Sequence, residues 1–195
     1  MPGWAPLSER LMTPAFTMNL LLVTLVTLVI AAAIVDWRTH RIPNELVLIG
    51  AVLGVGGNAV LPSGGGVVFG VSGMALGLAL LLPLYLLRAM GAGDVKLMAM
   101  VGAWIGPAGV LSAMLLTLVA GGVLALLVAM RNRTLGRALQ NVKTMFLGTL
   151  VSATALHRTE VVAPVASAGK VPYAVAIAVG TFIHLALVQS GVSLM

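Results

Sequence analysis

Along the chain, long apolar blocks alternate with short polar knots, and the blocks show no amphipathic striping. A helix that crosses a bilayer needs about 20 apolar residues, and the blocks divide into six such segments. The first runs from about Thr17 to Val35, and the second from Leu46 to Leu61, ending at the turn Pro62-Ser63-Gly64-Gly65-Gly66. The third, Val67–Leu87, contains Pro83, which predicts a kink. From Val95 to Met130 the apolar stretch is too long for one crossing. It breaks at Ile105-Gly106-Pro107 into a short fourth segment, which a re-entrant loop would also fit, and a fifth from about Ala108 to Met130. The last segment spans about Pro172–Val188. The expected architecture is all-α: one polytopic membrane domain over residues 1–195, with about six transmembrane helices.

The one long polar stretch is Arg131–Lys170. In it Leu135, Leu139, Val142, Phe146 and Leu150 recur at helical spacing, opposite Arg133, Arg137, Asn141 and Lys143. This predicts a basic amphipathic helix, lying on an anionic membrane face or packed on the bundle. Six crossings put Arg38, Arg41, Arg88, Lys96, Arg131, Arg133, Arg137, Lys143, Arg158 and Lys170 on one side, and only Arg10 on the other. Cytoplasmic loops carry the excess of basic residues. The expected location is therefore a bacterial inner membrane, with both termini outside the cytoplasm. Arg10, the run Met18–Val35 and Ala31-Ala32-Ala33 imitate a cleavable signal. The run is longer than a signal core, which favours a retained helix.

Composition supports the pattern: 60% of residues are hydrophobic and 8% charged, far below the ~25% charged of soluble domains. A net charge of +6 raises the question of nucleic acid. Its basic residues lie at the ends of apolar spans with no aromatic interleaving, so nucleic acid is not an expected partner. The absence of cysteine excludes a disulfide framework, thiolate metal sites and a cysteine nucleophile. His40, His157 and His184 lack metal-ligand spacing, so no metal and no cofactor is expected. The eleven methionines suit adaptable packing. Small residues, as in Gly70-Val71-Ser72-Gly73 and Gly121-Gly122, suit close helix contact in lipid.

The candidate chemistry lies in the only two aspartates, Asp36 and Asp94. One closes the first span and the other opens the fourth, so the topology brings both to the same cytoplasmic edge. Two carboxylates that meet there share a proton. The ionised one can then activate water while the protonated one polarises a peptide carbonyl. A plainer reading pairs Asp36 with Arg38 and Asp94 with Lys96, or uses Asp94 as a helix cap. Around the second carboxylate the chain reads Gly91-Ala92-Gly93-Asp94-Val95-Lys96-Leu97, whose glycines permit unusual backbone conformations and close approach of a substrate strand. Around the first it reads Asp36-Trp37-Arg38-Thr39-His40-Arg41-Ile42-Pro43-Asn44. There Pro43 stops the preceding helix, Asn44 can cap the next and Glu45 supplies a first-turn acid.

Together these two motifs resemble the type IV prepilin peptidases, bacterial members of the GxGD membrane aspartyl proteases. In that family the first Asp precedes a loop ending Ile-Pro-Asn, here Ile42-Pro43-Asn44. The second lies in Gly-x-Gly-Asp-x-Lys-Leu, here Gly91 to Leu97. Val171-Pro172-Tyr173 is similar to the start of the family's final helix, and the likeness covers about Thr17 to Val188. The resemblance implies an aspartic endopeptidase that removes short leader peptides from prepilins or pseudopilins. It implies Asp36 and Asp94 as catalytic residues, with Gly91, Gly93, Lys96, Pro43 and Asn44 in support. Lys96 would bias the charge of the pair, meet the substrate or simply snorkel. Larger members carry an N-terminal region with paired cysteines and also N-methylate the cleaved pilin. This cysteine-free chain resembles the small branch serving Flp (tight-adherence) pili, with cleavage and no methylation expected. The rival reading is a small ion- or proton-coupled transporter using the aspartates as a relay. Relays place carboxylates near the bilayer midplane, whereas this pair belongs to one edge.

Overall fold

The structure, a computed structural model, describes residues 14–61, 64–86, 90–131, 136 and 173–191. Among these there are five helices and no strand: α1 (Pro14–Thr39), α2 (Asn44–Val60), α3 (Val67–Leu86), α4 (Ala92–Arg131) and α5 (Tyr173–Gln189). Contacts group the chain into one unit of Met1–Gly121 with Pro172–Met195 and another of Gly122–Val171. In the second, the described residues are the helical run 122–131 and Gly136. Most of the amphipathic helix expected in Arg131–Lys170 therefore falls outside the described residues.

α1 is longer than its apolar core, so Asp36 lies in the last helical turn and not beyond it. The helix ends because His40 takes a left-handed conformation, φ 50°, and its N–H reaches the Asp36 carbonyl at 2.8 Å. Histidine tolerates that region better than most side chains. The Thr39 hydroxyl sits 2.9 Å from the Val35 carbonyl and 3.0 Å from that of Arg41, pinning the turn. α2 then starts two residues before its first expected position, Leu46. Asn44 is not its cap: Pro43 holds the N-cap position in extended conformation and makes no side-chain capping bond. Proline presets the backbone for helix entry, which leaves the Asn44 side chain to other partners. Glu45 is in the first turn, as expected. α3 continues through Pro83 to Leu86.

The expected fourth and fifth segments are two limbs of α4, joined at Gly106 with φ 70° and ψ −176°. That backbone region is essentially restricted to glycine. A straight helix from Asp94 to Gly121 would span about 40 Å at 1.5 Å per residue. Instead Gly121 packs against Tyr173, whose neighbour Ala174 bonds to Asp36. The second limb therefore runs back toward the end where the first began.

Contacts set the directions of the other helices. Leu28 meets Gly50 and Leu21 meets Gly57, so α1 and α2 are antiparallel. Gly73 faces Gly102 and Gly77 faces Met98, so α3 opposes the first limb of α4. Thr117 meets Gly180 and Gly109 nears His184, so α5 opposes the second limb. Gly50 meets Met100 and Gly54 meets Trp104, so α2 runs parallel to the first limb.

That first limb is the centre of the bundle: Leu97, Met98, Met100, Val101 and Ala103 are fully buried. Lipid is as apolar as leucine, so helices associate there through close packing and internal hydrogen bonds. Accordingly α3 turns the small residues Gly70, Gly73 and Gly77 toward the α4 backbone. The break at Gly106-Pro107 has a polar consequence. Pro107 offers no N–H to the Ala103 carbonyl. Asn58, buried in α2, supplies it: its amide donates to Ala103 at 3.0 Å and to Trp104 at 3.2 Å, while its oxygen accepts the Gly65 N–H at 3.1 Å. The indole of Trp104 donates to the Gly50 carbonyl at 2.8 Å.

Large apolar side chains such as Val23, Ile34, Val60, Val68 and Leu86 are exposed around the outside. α1 from Thr17, α3 and α4 are long and apolar enough to cross a membrane, and α2 and α5 are apolar helices of 17 residues each. The chain is a membrane protein.

Candidate functional site

The C-terminus of α1 and the N-termini of α2, α4 and α5 converge at one end of the bundle. The parallel course of α2 and the first limb of α4 brings their starts together, and the antiparallel partners α1 and α5 complete the group. Asp36 and Asp94 both lie here, one in the last turn of α1 and the other in the first turn of α4.

Asp36 is buried, 7% exposed, and one of its carboxylate oxygens accepts the Ala174 N–H at 3.3 Å. Asp94 is half-buried in the first turn of α4. One of its oxygens accepts the Gly91 N–H at 3.2 Å, the return half of a capping box. Helix capping by Asp94 is thus real. The two proposed ion pairs are not formed: among the described residues neither aspartate pairs with a cation, and Lys96 reaches elsewhere.

Lys96 donates to the Asn44 side-chain oxygen at 2.9 Å, across 52 positions of sequence. A second link joins the same two loops. A Cβ on Gly93 would come within 3.3 Å of Ile42, so the glycine lets the Ile42-Pro43-Asn44 loop lie directly on the Asp94 turn. A Cβ on Gly91 would lie 3.2 Å from the Asp94 carboxylate oxygen. Neither Gly91 nor Gly93 has positive φ, so conformational freedom is not their use here. Both make room. Pro43, half-buried, starts α2 at the height that lets Asn44 meet Lys96.

Residues 23–126 match the type IV leader peptidase family, and that stretch contains both aspartates. This chain belongs to the type IV leader peptidase family. No curated protein and no solved structure matches the chain. Membership in the leader peptidase family makes the chain a protease of the membrane. It also gives the converging segments a context: the two motifs that join here both lie within the matched stretch, with Lys96 and Asn44 separated by 52 positions.

Sequence reasoning missed Ala174, which lies beyond the matched stretch. It contributes a backbone N–H, and no side-chain pattern advertises that. Ile42 was visible only as a letter of a motif. Among the described residues no group of three His, Cys, Asp or Glu side chains comes together. His184 is buried far from the aspartates. It lines a largely apolar cavity of about 450 Å³ at the opposite end of the bundle, with Leu21, Phe69, Trp104 and Ser112.

Proposed function

We propose that this leader peptidase is an aspartic endopeptidase whose paired carboxylates are Asp36 and Asp94. The observation that carries the reading is that both carboxylates lie at one end of the bundle, where the Ile42–Asn44 segment is joined to the Gly91–Leu97 segment by the Lys96–Asn44 hydrogen bond and the packing of Ile42 on Gly93. In this reading the two carboxylates meet in the working enzyme and share one proton. The ionised member removes a proton from a water molecule, whose oxygen attacks the scissile carbonyl carbon. The protonated member hydrogen-bonds the carbonyl oxygen as charge builds on it. Collapse of the tetrahedral species breaks the C–N bond, and the leaving amine takes the proton back. Side chains alone supply this chemistry.

The substrate in this reading is a prepilin or pseudopilin of the Flp-like kind, cut between a short leader and its apolar helix. Such a helix lies in the bilayer beside the exposed apolar flanks of the bundle, and its leader junction reaches the end where the aspartates sit. The enzyme would work in a bacterial inner membrane. Arg38, Arg41 and Lys96 at the aspartate end, with the basic residues that six crossings would gather on the same side, support a cytoplasmic orientation for that end, with both chain termini outside.

The test co-expresses the chain with a candidate Flp-type prepilin and follows the size of the pilin. Asp36→Asn and Asp94→Asn should each abolish processing while membrane content stays unchanged. Processing that survives either substitution removes the pair from the mechanism.

A further inference from the structure

The strongest unassigned feature of the site is a backbone group. Asp36 occupies the last turn of α1, where the helix macrodipole is negative and a carboxylate is disfavoured. It is also buried, and among the described residues Arg38 and Arg41 form no ion pair with it. Its one side-chain hydrogen bond among the described residues is the Ala174 N–H, from the first turn of α5. That N–H is one of the four donors a helix start leaves without an internal partner. α5 therefore presents the positive end of its dipole, with a free donor, to the carboxylate that α1 disfavours.

We propose that the Ala174 N–H is a positioning group for peptide cleavage, holding one oxygen of Asp36 and leaving the other for water and Asp94. The inference rests on the aspartic-pair reading above. Its consequence is that the active arrangement is completed by a helix outside residues 23–126, the stretch matching the family. Among the described residues, the other titratable or charged groups on the elements at this end include Asp94 and Lys96 on α4, Tyr85 near the end of α3 and Tyr173 on α5. Arg38, His40, Arg41 and Glu45 lie on α1, its turn and the start of α2. Lys96 is engaged by Asn44.

Replacing residue 174 by its α-hydroxy acid analogue turns the amide into an ester, removing the N–H with almost no change in volume. A genetic counterpart is Ala174→Pro, since proline is tolerated in a first helical turn. Because Ala174 is fully buried, the ester is the deciding variant if the proline chain fails to insert. Cleavage of a purified Flp-type precursor is measured in proteoliposomes. The ester should lower kcat about 10- to 100-fold, the span of a hydrogen bond to a charged group, with KM unchanged within about twofold. Ala174→Gly, which keeps the N–H, should retain at least about half of kcat. An ester enzyme with wild-type kcat overturns the proposal, and so does a rise in KM alone. Asp36→Asn, run alongside, separates the two failures: if it is inactive while the ester is fully active, only the Ala174 role is lost. If it is active, the aspartic-pair reading fails.

Discussion

At the residue scale, small distances around the aspartates set what substitutions will do. Gly93→Ala would force Ile42 to yield by a few tenths of an ångström. Since a 1 Å misplacement costs on the order of 100-fold in rate, a loss of roughly 3- to 10-fold in kcat is expected. Adding Ile42→Ala removes two of the three close contacts and should recover part of that rate in the same cleavage assay. A double mutant less active than Gly93→Ala alone would argue against the packing explanation. Lys96 and Asn44 make a different case. Their bond is exposed, so Lys96→Ala and Asn44→Ala should each cost at most about 0.5–1.5 kcal/mol in detergent unfolding. The double substitution should cost less than the sum, because both remove one bond. Strict additivity would mean the bond contributes nothing. The motif letters of both loops were legible in the sequence. Their mutual contact was not, because 52 positions separate Lys96 from Asn44 and only packing reveals the pairing.

At the scale of elements, the break in α4 and its cover by α2 form one device. Gly106 holds a conformation other residues strain to adopt, and the Phe69 ring lies against it where a Cβ would stand. Gly106→Ala should therefore destabilise the bundle by about 1–3 kcal/mol from backbone strain alone. Asn58→Leu keeps the volume and removes the donor. It leaves the Ala103 carbonyl unsatisfied away from water, which costs about 1–3 kcal/mol. Reversible unfolding in mixed micelles reads both; an unchanged midpoint for Asn58→Leu would show that another group or a water replaces the amide. The Ile105-Gly106-Pro107 break was legible as proline chemistry plus excess apolar length. Asn58 was not, since nothing local distinguishes an asparagine that serves a distant carbonyl.

At the scale of the whole molecule, the antiparallel and parallel contacts put Thr39 and Gly65 at opposite ends of α2. In the orientation proposed above, the Thr39 end faces the cytoplasm. The chain has no cysteine, so single substitutions report cleanly. In intact cells Gly65→Cys should react with a membrane-impermeant maleimide, and Thr39→Cys should react only after lysis. The reverse pattern would invert the orientation.

The sequence by itself determined the membrane class, the approximate helices and the two aspartates with their flanking motifs. Hydrophobic length and local backbone chemistry are written residue by residue, and so can be read that way. Only the tertiary structure decided that Asn44 bonds Lys96 and leaves capping to Pro43, that Gly91 and Gly93 act by making room, and that α5 delivers a backbone donor to Asp36. Each of these depends on which helices are neighbours and in what register. In lipid, close contact between small residues settles that question, and those contacts join positions far apart in the chain.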